Sequence, residues 1–282
     1  MDGGANIVAE AGLAVREKCA ERGISAADIA GIGVGVPGTA LPDGRVVRCV
    51  NLGWNETRNV AGELELATGA PVRVGNDANL AALGEQFAGA ARGADDALML
   101  TLGTGIGAGI ISGGRLLTGA FSAAGEVGHI HVNDEETERC NCGAAGCLEQ
   151  YCTVTGFVRV ARRLLETFST ASPLREMQDG PGFTVRDLFD LAKDGDQIAS
   201  LAVDIGCGYL GRAAAICANI LNPEVIVVGG GISAAGGIIL ERMRPDFERY
   251  AFPDCRGARL VLAELGNDAG IIGAARLVMQ EP

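Results

Sequence analysis

The apolar positions change period several times along the chain, and each change marks an element. Between residues 6 and 22, Ile7, Val8, Ala11, Leu13, Ala14 and Val15 give a helical repeat, fuller than a one-faced amphipathic helix, that ends at Gly23. A short helical turn starts at Ser25. "GIGVGVPG" then alternates Gly31, Gly33 and Gly35 with Ile32, Val34 and Val36, a period-two strand with one face of bare backbone against which something packs or binds. Pro37 and Gly38 turn the chain, and "LPDGRVV" reads as a hairpin tip around Asp43 and Gly44. "APVRVGNDANLAALGEQFAGA" predicts a short strand, a polar turn at Gly75, Asn76 and Asp77, and a helix from about Asn79 to Gly89. "ALMLTLGTGIGAGIISGGRLLTG" predicts a three-stranded meander with turns at the glycine run and at Gly113–Gly114. Helices are expected around 153–168, 185–193 and 197–221, followed by the strand "VIVVGGG", a helix from about 235, the strand "RLVLAEL" and a last helix in "NDAGIIGAARLVM". Strand-rich and helix-rich segments alternate without a solenoid repeat, which defines an α/β protein.

A length of 282 residues fits two modest domains and a sizeable core without help from disulfides. Lys plus Arg number 23 against 35 Asp plus Glu, and the resulting net charge of −12 repels nucleic-acid phosphates and anionic membrane surfaces. Aromatic residues make up 4%, too few for base-stacking platforms. No basic-then-apolar leader and no run of ~18 apolar residues stands out, so a cytoplasmic protein without membrane or nucleic-acid partners is expected. The 43 glycines, about twice the usual share of roughly 7%, read as turns and points of close backbone approach.

Among nine cysteines, Cys140, Cys142 and Cys147 crowd together behind His129, giving H-x10-C-x-C-x4-C. Three thiols and one imidazole suit tetrahedral Zn²⁺, and four protein ligands make such a site structural. The alternative is three free thiols beside an unrelated histidine. The remaining cysteines, at 19, 49, 152, 207, 217 and 255, read as ordinary buried thiols. In "LGTGIGAG", Gly103, Gly105 and Ala108 match a dinucleotide fingerprint, yet the next segment is strand-like where that motif requires a helix. A glycine turn presenting N–H groups to phosphate, or a plain tight hairpin, are the other readings. Asp77 sits at a polar strand-to-helix turn, the place for a rigidly held general base or for a helix cap. Glu126, His129 and Glu149 bracket the cysteine loop, as site groups or as solvated surface; a metal at the loop would bring Glu149 near His129. His129 could then meet a ligand hydroxyl through its second nitrogen.

Together these segments resemble the ROK family of bacterial sugar kinases, and within it the zinc-containing glucokinases, over about residues 30–280. The carriers are Leu102 through "GTGIGAGI" and Gly119 to "GEVGH", the zinc loop "CNCGAAGCLE", and in family order "GVPG", "NLGW", "GNDAN", "VVGGGIS" and "LGNDAGIIGAA". The resemblance implies an actin-like (ribonuclease H-like) two-domain α/β ATPase fold that transfers the γ-phosphoryl of Mg-ATP to the 6-hydroxyl of a hexose, most readily glucose. Residues 1–95 with 267–282 would form the smaller domain and 96–266 the larger. Asp77 would be the catalytic base; Asn51, Asn76, Glu126, His129 and Glu149 would join it in binding the sugar. Gly103, Thr104 and Gly105 would contact phosphates, and Gly229, Gly230 and Gly231 the adenosine. His129, Cys140, Cys142 and Cys147 would hold structural zinc, Mg²⁺ would accompany ATP, and the protein would be a homodimer.

One departure carries an expectation of its own. Family members begin with a strand bearing D-x-G-G-T for Mg²⁺ and the β/γ-phosphates, whereas Asp2-Gly3-Gly4 lies just ahead of the first helix. The expected fold is therefore truncated at its N-terminus by about forty residues. Either the gene starts upstream or the chain is a sugar-binding remnant or sugar-responsive regulator without phosphoryl transfer. Loss of three strands would expose sheet edges and lower stability.

Overall fold

The computed structural model describes residues 4, 6–47, 49, 52–180 and 182–280. Asn51, Asp2 and Gly3 lie outside them. In chain order the elements are α1 (Ile7–Glu21), β1 (Ile32–Val36), α2 (Val60–Thr68), β2 (Val72–Asn76), α3 (Asp77–Ala88), β3 (Ala97–Leu102), β4 (Ile106–Ser112), β5 (Arg115–Leu116), α4 (Glu149–Cys152), α5 (Val154–Thr167), α6 (Pro173–Asp179), α7 (Val185–Lys193), α8 (Gln197–Leu221), β6 (Val225–Gly229), α9 (Ile238–Tyr250), β7 (Arg259–Leu262) and α10 (Ala269–Met279).

Among the described residues, two sheets organise the molecule. β1 and β2 pair in parallel, Ile32 opposite Val72 and Val36 opposite Asn76. The larger sheet has the order β5-β4-β3-β6-β7: β5, β4 and β3 form the expected antiparallel meander, and β6 and β7 add in parallel. One face of this sheet carries the main core, where Leu98, Leu100, Ile226 and Val228 meet α5, α7, α8 and α9. α8 is long and apolar enough to cross a membrane by composition, but Ala202, Val203, Leu210 and Ala214 are fully buried in this core, so it is a core helix. The opposite face, through Met99, Ile111 and Val227, packs on Leu80 and Leu83 of α3.

Glycine explains how α3 and α10 approach their neighbours. A Cβ on Gly33 of β1 would strike Ala274 of α10, one on Gly273 would strike the Leu80 carbonyl, and one on Gly109 of β4 would strike Ala82. The bare face of "GIGVG" is thus where α10 seats. α1 buries only Val8 and Gly12 and leaves Leu13 exposed, which accounts for its poorly one-sided pattern.

Most predicted elements form. The Ser25 turn is a 3₁₀ turn over Ala26–Asp28, and the hairpin tip at Asp43–Gly44 closes through Leu41 N–H to the Arg45 carbonyl and Gly44 N–H to the Leu41 carbonyl. The Asn79 start of the third helix moves to Asp77, because the Asn76 side chain caps it. α2, α4 and α6 lie outside the predicted elements; Asn59 and Ser172 supply the caps of α2 and α6. The helix expected from about 235 starts at Ile238 after a 3₁₀ turn over Gly231–Ala235, and "RLVLAEL" stays extended only to Leu262.

Candidate active site and zinc loop

A cleft of ≈ 840 Å³ gathers Asn76, Asp77, Gly103, Thr104, Gly105, Glu126, His129, Glu149 and Gly230 along its wall. Asp77 is the first residue of α3. The cap is its neighbour: Asn76 Oδ1 accepts from Ala78 N–H (3.0 Å) and Asn79 N–H (3.2 Å), and its amide donates to the Gly38 carbonyl (3.3 Å). That division leaves Asp77 aimed at the cleft with one hydrogen bond, Ala78 N–H to Oδ1 at 2.9 Å. Burial pushes its carboxyl above the ordinary value, against the backbone N–H groups that lower it.

The glycine turn is followed by β4, which pairs antiparallel with β3. A dinucleotide fingerprint needs a helix at that point, so the nicotinamide-type alternative is removed. The turn is closed by Gly103 N–H to the Gly105 carbonyl (3.0 Å), and Gly103 accepts from Val154 N–H (3.0 Å) at the start of α5. Glu149 Oε2 receives Ile106 N–H at 3.3 Å, and any side chain on Gly105 would run into the same oxygen. A Cβ on Gly103 would meet nothing within 4 Å, so the space at this backbone is open. Of the second glycine run, Gly230 reaches the cleft; Gly229, the last residue of β6, packs against Met99 and Ala263, and Gly231 opens the 3₁₀ turn.

His129 ends a 3₁₀ turn over Val127–His129 with its two nitrogens facing different groups. Nδ1 lies 3.8 Å from Cys140 Sγ and Nε2 lies 4.0 Å from Glu126 Oε2. Cys142 and Cys147 Sγ are 3.6 Å apart, and the ligand atoms of His129, Cys140, Cys142 and Cys147 all fall within 4.8 Å of one another. Tetrahedral Zn²⁺ with Zn–S near 2.3 Å places sulfurs about 3.7 Å apart, so the donor set and its spacing fit that ion. Burial pushes the Cys147 thiol up to about 12 and also raises Cys140; metal binding must displace those protons. His131 is excluded from the set because Asp134 and the Ala145 carbonyl occupy its nitrogens.

A buried charge behind the loop escaped the sequence reading. Glu136, 1% exposed at its side chain, accepts from Tyr151 Oη (2.7 Å), Arg159 Nη2 (2.9 Å) and Arg163 Nη1 (3.0 Å). Gln150 ties the same region together: its Oε1 accepts from Cys147 N–H and its Nε2 donates to the Glu138 carbonyl, both at 3.0 Å. Glu136 stands in the charge-dense run "NDEETER", which by pattern is solvated surface; only Arg159 and Arg163, one helical turn apart on α5, make it a buried hub.

The mixed α/β sheet, the glycine turn between antiparallel strands and the carboxylate at a strand-to-helix junction are set in the actin-like ATPase fold shared with solved ROK hexokinases and glucokinases. The family model described as "ROK family" matches residues 12–281, and the chain belongs to that family. It is similar to the glucokinase of Halalkalibacterium halodurans, 42% identical over 283 residues, covering 100% of this chain and 86% of that protein. A solved ROK glucokinase from Streptomyces griseus in complex with glucose and AMPPNP is 33% identical with a TM-score of 0.77, covering 96% of this chain and 88% of the other. The family also reaches the Escherichia coli transcriptional regulator NagC, 30% identical over 251 residues, 89% of this chain and 60% of that protein.

Proposed function

We propose that the chain transfers the γ-phosphoryl of ATP to the 6-hydroxyl of a hexose, with glucose as the substrate. The observation that carries this reading is Asp77: a carboxylate freed from capping by Asn76, fixed on a helix N-terminus, and sharing one cleft with Glu126, His129, Glu149 and the glycine turn. Phosphoryl transfer demands positioning and charge stabilisation more than covalent chemistry. Asp77 accepts the hydroxyl proton as the oxygen attacks in line. Glu126 and Glu149 accept hydrogen bonds from sugar hydroxyls, and His129 offers Nε2 to the same ligand while Nδ1 faces the zinc loop. Such a polar site rejects analogues that lack a hydroxyl, because a buried partner is then left unpaired. Gly103, Thr104 and Gly105 would receive phosphates and Gly230 the nucleoside side. Mg²⁺, arriving with ATP, neutralises charge on the phosphates, and His129, Cys140, Cys142 and Cys147 would hold zinc as a structural ion. On this reading residues 1–95 with 267–282 close as one lobe on 96–266, in a cytoplasmic homodimer.

The 42% identity to a glucokinase supports the reading. A second reading follows from the similarity to a transcriptional regulator: a protein that binds sugar without phosphorylating it. Asp77→Asn separates the roles. ADP formation should fall by at least about 10²-fold, the usual contribution of a general base, while glucose binding by calorimetry stays within a few-fold. Near-normal turnover in this variant overturns the base assignment. Glucose binding without turnover in the unaltered chain selects the regulator reading.

A further inference from the structure

A second cavity, of ≈ 980 Å³, lies on the other side of the Asn76–Asn79 turn from the cleft and shares Asn76, Asn79 and Ser122 with it. Its size falls at the top of the range of about 300–1,000 Å³ typical of small-molecule sites. One wall is the outer edge of β2. Ile32 N–H donates to the Pro71 carbonyl (2.8 Å), whereas Val72 N–H turns away from β1 and donates to Glu65 Oε1 (3.1 Å). In a parallel ladder alternate residues bond to the same side. Arg73 and Gly75 therefore pair with β1, and the N–H and C=O of Val74 face the cavity, where the described sheet has no further strand.

Behind the lining, Asn79 Oδ1, on a residue only 5% exposed, and Arg276 Nε are shut off from solvent without a hydrogen-bond partner. The Arg276 guanidinium carbon lies over the Phe87 ring, 5.1 Å from its centroid, and Arg115 enters from β5. Carboxylates bordering the cavity are engaged elsewhere, Asp43 with Arg45 and Glu65 with Val72 N–H. Arg73 is likewise committed, donating to the Leu277 and Gln280 carbonyls at the end of α10.

The geometry points to a second binding site here, distinct from the catalytic cleft, for a phosphomonoester on a polyol. Arg115 and Arg276 supply guanidiniums for the phosphate. The Val74 N–H and C=O supply the donor and acceptor that sugar hydroxyls satisfy. Because β2 runs directly into Asn76 and Asp77, occupancy of this cavity bears on the strand that carries the catalytic carboxylate. The choice of a hexose 6-phosphate as the polyol ester rests on the kinase reading; the cavity and its unpaired groups do not.

Calorimetric titration of the full chain with glucose 6-phosphate, in saturating glucose so that the sugar cleft is filled, tests the site. Binding is expected to persist under glucose and in Glu126→Ala, and to weaken about 10–100-fold in Arg115→Ala and in Arg276→Gln. Arg115 is exposed on a two-residue strand, so its variant decides the question if Arg276→Gln does not fold. Loss of binding under glucose or in Glu126→Ala places the ligand in the cleft and overturns the proposal, as does absence of binding altogether. Inorganic phosphate binding as tightly as the ester overturns the polyol assignment. Because the readout is binding, a chain without kinase turnover that still shows the arginine-dependent site refutes the proposed function and leaves this site standing.

Discussion

At the scale of single residues, the division of labour between Asn76 and Asp77 decides what the site does. Either side chain suits the cap of α3, and the sequence leaves both roles open for Asp77. Asn76 takes the cap because it is the last extended residue, at φ −66° and ψ 144°, where a side-chain oxygen reaches the N–H groups of the first turn. Glu136 shows the reverse: a residue unremarkable in sequence becomes a buried, fully paired carboxylate once its arginines arrive. Its carboxyl is held down to about 2 from an ordinary 4.5, first by the Arg163 hydrogen bond. A depressed carboxyl contributes stability that is fully present above the unfolded value and is lost as pH falls through the folded one. Acid titration of thermal stability should therefore show a Glu136-dependent loss between pH 4.5 and about 2 that Glu136→Gln abolishes. At neutral pH the same substitution should cost toward the lower end of about 3–5 kcal/mol, since Arg159 and Arg163 keep some contact with water and are only partly stranded. A variant as stable as the parent in denaturant melts would remove Glu136 from the role of hub.

At the scale of elements, close packing through glycine sets the position of α3, and with it the Asp77 carboxylate. α10 crosses α3 where Gly273 meets the Leu80 carbonyl and Gly84 meets Ala269, and on its other side it lies on Gly33 of β1. Backbone carbonyls cannot swing aside as a side-chain tip can, so an added methyl must move a whole helix. Gly273→Ala is expected to destabilise by the upper part of about 1–3 kcal/mol, read as a lowered melting temperature. Ile271→Ala on the same helix, at a residue 71% exposed, should change stability little. Equal effects from the two substitutions would show that the glycine contact does not set the crossing. The glycine-rich strands "GIGVGV" and "GIGAGI" are alike in this respect: each offers a bare face to a helix, α10 in the first case and α3 in the second.

At the scale of the whole molecule, the proposed function makes the metal loop join stability to ligand binding, since His129 would serve both. Chelation of the metal is expected to lower the melting temperature and the glucose affinity together, the thiols then taking up protons that the ion displaces. A metal-free protein with unchanged affinity would uncouple the two. Much of this architecture was legible in the chain itself. The helices over 185–193 and 197–221, the meander and the metal quartet follow from local periodicity and spacing, since a capping box at Thr184 and Asp187 or three cysteines within eight residues act over one or two turns. Family membership, too, was written in an ordered series of short motifs. The tertiary structure alone decided which of several locally equivalent groups does what: that Asn76 caps and Asp77 does not, that Gly33 and Gly109 receive helices, that Gly229 is core while Gly230 reaches the cleft, and that Glu136 is buried. Those outcomes depend on partners far away in sequence, whose approach distances and charges no local pattern encodes.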